Sequence, residues 1–278
     1  MCRWLAYSGS PILLKDVLFT PLHSFIDQSL HSKLGAETTN GDGFGIGWYD
    51  GYSREPGTFR SVEPAWNDAN LREVAGHITS PLFFSHIRAA IGSSVQQSNC
   101  HPYRYGNWLW MHNGFIDGYA EIKRDLAFAV DPDLYPHITG TTDSELIFYL
   151  ALTFGLREDP ADAVAKTIGY VETRGREAGI EHPFQGTIAT SDGESMWAFR
   201  YSSAGKSRTL FVTRDVPTLR REHPGLAVLE HVSDDARLVV SEPIGNLPGA
   251  WVEVPEASWG VVRKGHDSLH TFTPKNPD

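Results

Sequence analysis

Met1-Cys2-Arg3-Trp4-Leu5-Ala6-Tyr7-Ser8 opens the chain with aromatic and aliphatic residues and almost no lead-in, so a strand is expected over Arg3–Ser8. A strand that begins at the third residue puts Cys2 at its threshold. Methionine removal proceeds when the second residue is small, and cysteine qualifies, so the mature chain is expected to begin with Cys2. Such a residue carries a thiol and a free α-amine together. The amine's ordinary pKa of about 7.7–8.0 leaves a fraction of it as free base at neutral pH. It can take the thiol proton, directly or through water, and release the thiolate that attacks a carbonyl. The plainer reading of Cys2 is a small residue at a frayed end.

Beyond this stretch the pattern changes character twice. Leu22–Leu34 has helical spacing at Phe25, Ile26, Leu30 and Leu34, and Asn67–Ile78 reads as a second helix. Glycine-rich Asn40–Gly47 leads into a strand from Phe44 to Tyr49, and Pro81–Ile87 and Asn107–His112 read as buried strands. Helices are expected over Tyr119–Val130, after the capping box Thr142-Asp143-Ser144-Glu145, and over Pro160–Gly179. Strands then return at Gly186–Thr190, Ser195–Tyr201, Thr209–Thr213, Arg237–Ser241, Trp251–Val254, Gly260–Arg263 and Leu269–Phe272. Strands early, helices in the middle and strands late, with no βαβ beat, point to an α+β fold of two stacked sheets with helices outside. One domain over 2–272 is expected, with a disordered tail at 273–278 rich in proline and polar residues.

Composition narrows the function. A net charge of −10 over 278 residues, with basic clusters no longer than Arg220-Arg221 and Arg263-Lys264, argues against nucleic acid. No run reaches the 18 apolar residues that cross a bilayer, and no signal-peptide layout appears, so a cytoplasmic protein is expected. The two cysteines, Cys2 and Cys100, form neither a disulfide framework nor a C-x-x-C pair, and no metal or other cofactor is expected. A metal site drawn from Cys2, His86, Cys100, His101 and His112 is the disfavoured alternative.

Three further motifs carry chemistry. Arg88, at the end of Ser85-His86-Ile87-Arg88, offers a planar fork suited to a carboxylate, or is a surface arginine past a strand end. Asn113 and Gly114, in Met111-His112-Asn113-Gly114, have the composition of an oxyanion hole if adjacent in a turn, or form a simple Asn-Gly turn. Asp143 would sit in the first turn of a helix, where it can cap or hold an ammonium group.

Taken together and in order, Cys2, Gly41-Asp42-Gly43-Phe44-Gly45-Ile46-Gly47-Trp48, Ser85–Arg88, Cys100-His101-Pro102, His112–Gly114 and Thr142–Glu145 resemble the class II glutamine amidotransferases. The resemblance implies a four-layer αββα sandwich of the N-terminal-nucleophile type. It implies Cys2 as nucleophile, Asn113 and Gly114 as oxyanion hole, Arg88 on the substrate α-carboxylate and Asp143 on its α-ammonium. His86, His101 and His112 would then be supporting or structural. Many relatives follow the arginine with Trp or Tyr and a Thr-His-Gly-like segment, where this chain has Ala89-Ala90-Ile91-Gly92. Asn40–Gly43 and Trp48-Tyr49 resemble the small stand-alone branch, which includes the γ-glutamyl amidohydrolase of ergothioneine synthesis. No second domain to accept ammonia is apparent. The expected activity is therefore hydrolysis of a γ-glutamyl amide, the alternatives being a glutaminase subunit feeding a separate synthase or a non-catalytic binding relative.

Overall fold

The computed structural model describes residues 2–277 apart from 35–38, 91, 226, 231, 264 and 265. Met1, Ile91 and Lys264, each used in the sequence reading, lie outside that set. In chain order the strands are β1 (Arg3–Leu13), β2 (Phe44–Tyr49), β3 (Gly57–Ser61), β4 (Thr79–Ile87), β5 (Tyr103–Tyr105), β6 (Trp108–Ile116), β7 (Phe184–Ser191), β8 (Ser195–Ser202), β9 (Phe211–Thr213), β10 (Arg237–Val240), β11 (Trp251–Glu253), β12 (Ser258–Arg263) and β13 (His266–Thr271). The helices are α1 (Leu14–Leu18), α2 (Asp27–Leu30), α3 (Ala69–Ala75), α4 (Tyr119–Phe128), α5 (Asp143–Thr153), α6 (Pro160–Glu177), α7 (Val216–Glu222) and α8 (Ala227–Glu230).

Two antiparallel sheets result, one in the order β11-β9-β10-β1-β4-β2-β3 and the other β13-β12-β8-β7-β6-β5. The alternation of side chains along a strand explains how they stack. On β1, Trp4 and Ala6 point inward with Leu82 and Phe84 to meet Leu109, Met111, Ala189 and Met196 of the second sheet. Leu5 and Tyr7 point outward and pack with Leu14, Val17, Leu18 and Leu71 of the helices on that side. Trp110 and Ile188 on the outer face of the second sheet pack against Ile147, Leu150, Val164 and Ile168 of α5 and α6. Because both faces of each sheet are covered, the central strands read as near-continuous apolar runs. The α+β, four-layer αββα arrangement expected from the sequence is thus observed.

Several expected elements differ. The helix expected over Leu22–Leu34 contracts to α2. Ser24 and Asp27 cap each other at its start, with Ser24 N donating to Asp27 Oδ2 at 3.0 Å and Asp27 N to Ser24 Oγ at 3.1 Å. At its end the amides of Lys33 and Leu34 turn away to the remote carboxylate of Glu242, at 2.9 and 3.0 Å. The strand expected to stop at His112 runs on through Asn113 and Gly114 to Ile116. Asn113 and Gly114 are therefore strand residues and not a turn, registered with Thr187 and Gly186 of β7. A Cβ on Gly114 would sit 2.0 Å from Gln185 O and 2.5 Å from Gly186 Cα, so the ladder continues only because both positions are glycine. The C-terminal segment, which composition alone leaves free, lies on α6: Lys275 N donates to Ala165 O at 3.0 Å and Lys275 Nζ to Asp162 at 2.6 Å.

Candidate active site

β1 occupies the middle of the seven-stranded sheet, and its pairing of Arg3 with Ile87 brings Cys2 beside the end of β4. Cys2 is half-buried. Its Sγ sits 3.4 Å from Ala89 N, which donates to it, and 3.5 Å from Ala89 O. Burial pushes the thiol pKa up, while the Ala89 N–H and the charges of Arg88 and Arg3 pull the other way. The resting group is therefore the thiol. The Cys2 carbonyl accepts from Asn113 Nδ2 at 2.8 Å and from Arg3 Nη1 at 3.0 Å.

Arg88 is buried, contrary to its surface alternative. Its backbone is fixed by Arg88 N to Gly43 O at 2.8 Å and Asp42 N to Arg88 O at 3.1 Å. The guanidinium donates to Asp42 O at 3.3 Å, Ser93 Oγ at 2.7 Å and Ser94 O at 3.0 Å. These acceptors are neutral, and among the described residues no carboxylate lies within ion-pair distance of it. A buried guanidinium without an anion is costly unless an anion arrives. Gly43, at φ +110°, makes the turn that brings Asp42 here, and a Cβ on it would strike Cys100 Sγ at 2.7 Å.

Asn113 reaches Cys2 from the other sheet. An amide nitrogen has two protons, so the one spent on the Cys2 carbonyl leaves a second for an oxygen next to the thiol.

Asp143 opens α5, whose cap is Thr142: Oγ1 accepts Glu145 N at 3.1 Å, as the capping-box spacing predicts. Glu145 itself turns to Thr139 N and Gly140 N, at 3.0 and 2.6 Å. Asp143 is freed from capping and reaches back to β6, its Oδ2 accepting Ile116 N at 2.9 Å. Its Oδ1 accepts Ser144 N at 2.6 Å and Ser144 Oγ at 3.1 Å, and His112 Nδ1 lies 2.8 Å from Ser144 Oγ. No cation pairs with Asp143 among the described residues. Cys2, Asn113 and Arg88 are thus brought together, while the contacts of Asp143 are with Ile116 N and Ser144.

His86, His101 and His112 are all buried. Burial lowers the pKa of each, that of His86 to about 3, with the Arg88 charge acting the same way on His86 and His101. They are neutral at pH 7, which removes them as charged partners. Among the described residues no group of three or more His, Cys, Asp or Glu is placed to hold a metal. Cys100 is buried, with its thiol donating to Ser61 O at 3.4 Å. Cavities of about 720 and 660 Å3 open elsewhere, one beside Ser8–Pro11 and one between Tyr7, Val17, Leu219 and Trp251. Neither is lined by the chemical groups above, so the candidate site rests on chemistry and not on concavity.

Sequence reading missed Ala89, whose N–H faces the thiol, and the pair Arg3–Glu242. An alanine carries no chemical signal, and Glu242 stands 239 residues from its partner.

Residues 16–277 match the family of class II glutamine amidotransferases. The chain belongs to that family. As a class II glutamine amidotransferase it is an amidohydrolase. It is 32% identical to the probable glutamine amidotransferase DUG3 of Saccharomyces cerevisiae, over 97% of this chain and 84% of that protein. It is 27% identical to the gamma-glutamyl-hercynylcysteine sulfoxide hydrolase of Mycolicibacterium smegmatis, over 96% and 97% of the two chains. A solved class II domain protein from Silicibacter pomeroyi superposes with a TM-score of 0.72 at 32% identity, covering 98% of this chain and all of that one. The glutamine phosphoribosylpyrophosphate amidotransferase of Bacillus subtilis shares the fold, with a TM-score of 0.66 at 13% identity over half of its length. Among the described residues of this amidotransferase no helix is long and apolar enough to cross a membrane.

Proposed function

We propose that this amidotransferase hydrolyses the γ-glutamyl amide of glutamine or a γ-glutamyl compound through a thioester on Cys2, with residues 2–272 working as one glutaminase-type domain. The observation that carries the reading is the 2.8 Å hydrogen bond from Asn113 Nδ2 to the Cys2 carbonyl, which joins the candidate nucleophile to the candidate oxyanion donor. Buried Arg88, whose acceptors among the described residues are neutral, suits the α-carboxylate of the glutamyl group. Asp143, with no cation paired to it among the described residues, suits its α-ammonium.

With Met1 removed, the α-amine of Cys2 takes the thiol proton. The thiolate then attacks the γ-carbonyl carbon, and the oxyanion is met by the free proton of the Asn113 amide and the backbone N–H of Gly114. The C–N bond breaks as the α-ammonium returns a proton to the departing nitrogen. Water, deprotonated by the same amine, cleaves the thioester and releases glutamate. One amine serves each proton transfer, which is why no histidine is required, and the raised thiol pKa makes that base necessary.

The leaving group is tested by incubating mature protein with a panel of γ-glutamyl compounds and following glutamate and ammonia, with and without candidate ammonia acceptors. Glutamate release from at least one member supports the reading. No release from any member, with Cys2 verified as the terminal residue, overturns it and favours a binding relative.

A further inference from the structure

The carbonyl of Cys2 is held twice, by Asn113 from the second sheet and by Arg3 from its own strand. Arg3 is buried, and all three nitrogens of its guanidinium are committed. Nη1 donates to Cys2 O at 3.0 Å, Nε to Glu242 Oε2 at 3.1 Å, and Nη2 to Ser32 Oγ. Glu242 is buried as well and gathers donors on both oxygens. Oε1 takes His23 Nε2 at 2.8 Å and Lys33 N at 2.9 Å, and Oε2 takes Ser32 Oγ at 2.9 Å and Leu34 N at 3.0 Å besides Arg3. Gln28 Nε2 adds a bond to Pro243 O at 3.0 Å. Burial alone would raise the Glu242 pKa, but the bonds from Lys33, Leu34, His23 and Ser32 hold it below the usual value. His23 adopts φ +51° to reach this carboxylate, a left-handed backbone that a non-glycine residue keeps only where its surroundings impose it.

A buried ion pair of this kind repays its desolvation only through good geometry and a full set of hydrogen bonds, and here both are present. Such an expense beside the chain terminus has a direct use. Once Met1 is gone, residue 2 is a terminal residue, and terminal residues fray unless tied down. Its α-amine must stay free to move protons, so only the carbonyl and the thiol are left as anchors. A planar guanidinium seated on Glu242 fixes the carbonyl from one side as Asn113 does from the other.

We infer that Arg3, seated by Glu242 and its ring of donors from His23 to Leu34, is a positioning residue that holds the backbone of the Cys2 nucleophile in register with Asn113. The inference rests on the reading of Cys2 as nucleophile. The role assigned to Arg3 runs through the Cys2 carbonyl it holds.

The test uses Arg3→Lys, which keeps the positive charge but replaces the three-edged fork by a point donor that cannot serve Cys2, Ser32 and Glu242 together. Turnover of the best γ-glutamyl substrate should lose about tenfold or more in kcat while KM stays within about twofold, the mark of lost alignment and not of lost binding. Alkylation of Cys2 by iodoacetamide, which needs the thiolate but no alignment, should stay within about twofold. Should Arg3→Lys fail to fold, Glu242→Asp carries the same readouts, since it retains the charge and shortens its reach. A folded variant of either kind with kcat unchanged overturns the inference, as does a parallel fall in turnover and alkylation. Cys2→Ala separates the two readings. If it retains turnover, the nucleophile reading fails; if it is inactive while Arg3→Lys is fully active, only the positioning role fails.

Discussion

Lowering the pH from 7 to 5 should destabilise this amidotransferase steeply, and the structure says which side chain contributes a defined share. His86 is fully buried on β4, and its pKa falls from 6.5 to about 3, first through burial and then through the charge of Arg88. In the unfolded chain the ring regains its ordinary pKa. Between those two values the unfolded state binds the proton and the folded state does not. Stability is therefore fully present above 6.5 and is lost progressively as the pH falls toward 3. Linkage puts the His86 share at about 2 kcal/mol between pH 7 and pH 5. His101 and His112, also buried and shifted downward, act in the same direction. Urea unfolding at the two pH values, followed by tryptophan fluorescence, measures the total. His86→Gln, which cannot titrate, should reduce the pH-dependent loss by about 2 kcal/mol whatever its own stability at pH 7. Equal pH dependence in the parent and His86→Gln would refute the assignment of a buried neutral imidazole.

Asn113→Ala removes an oxyanion donor and one of the two donors to the Cys2 carbonyl, so kcat should fall by roughly 10²–10³-fold, measured by glutamate release. Arg88→Lys loses the fork for a carboxylate and should lower kcat/KM by roughly 10- to 150-fold, about 1.5–3 kcal/mol, read from initial rates over a range of substrate concentrations. Gly114→Ala drives a methyl group into Gln185 O and Gly186, and should cost about 3 kcal/mol or more, read as a lowered melting temperature or insoluble protein.

The sequence and the structure agree best where a residue's chemistry is local. Thr142 caps α5 as its spacing requires, and Trp4 and Leu5 alternate between two cores as a doubly buried strand must. The motif residues Cys2, Arg88 and Asn113 come together at one end of the sheets, although 25 residues or more separate each from the next. What was not legible depends on distant partners. The amides of Lys33 and Leu34 stop the expected helix because Glu242, far along the chain, competes for them. Asn113-Gly114 has the look of a turn until Gly186 is found opposite, leaving room for the strand to continue. Polar, proline-rich composition suggests a free tail, yet Lys275 meets a backbone carbonyl and an aspartate on α6. Ala89 carries its role in a backbone N–H, which no side-chain pattern reports.

The central claim is that Cys2 forms a γ-glutamyl thioester, and rapid acid quench during turnover followed by intact-protein and peptide mass spectrometry tests it most directly. The account predicts a mass gain of one glutamyl group, confined to the N-terminal peptide that begins with Cys2, lost on treatment with hydroxylamine and absent in Cys2→Ala. An adduct on any other residue, or active turnover by Cys2→Ala, would contradict it.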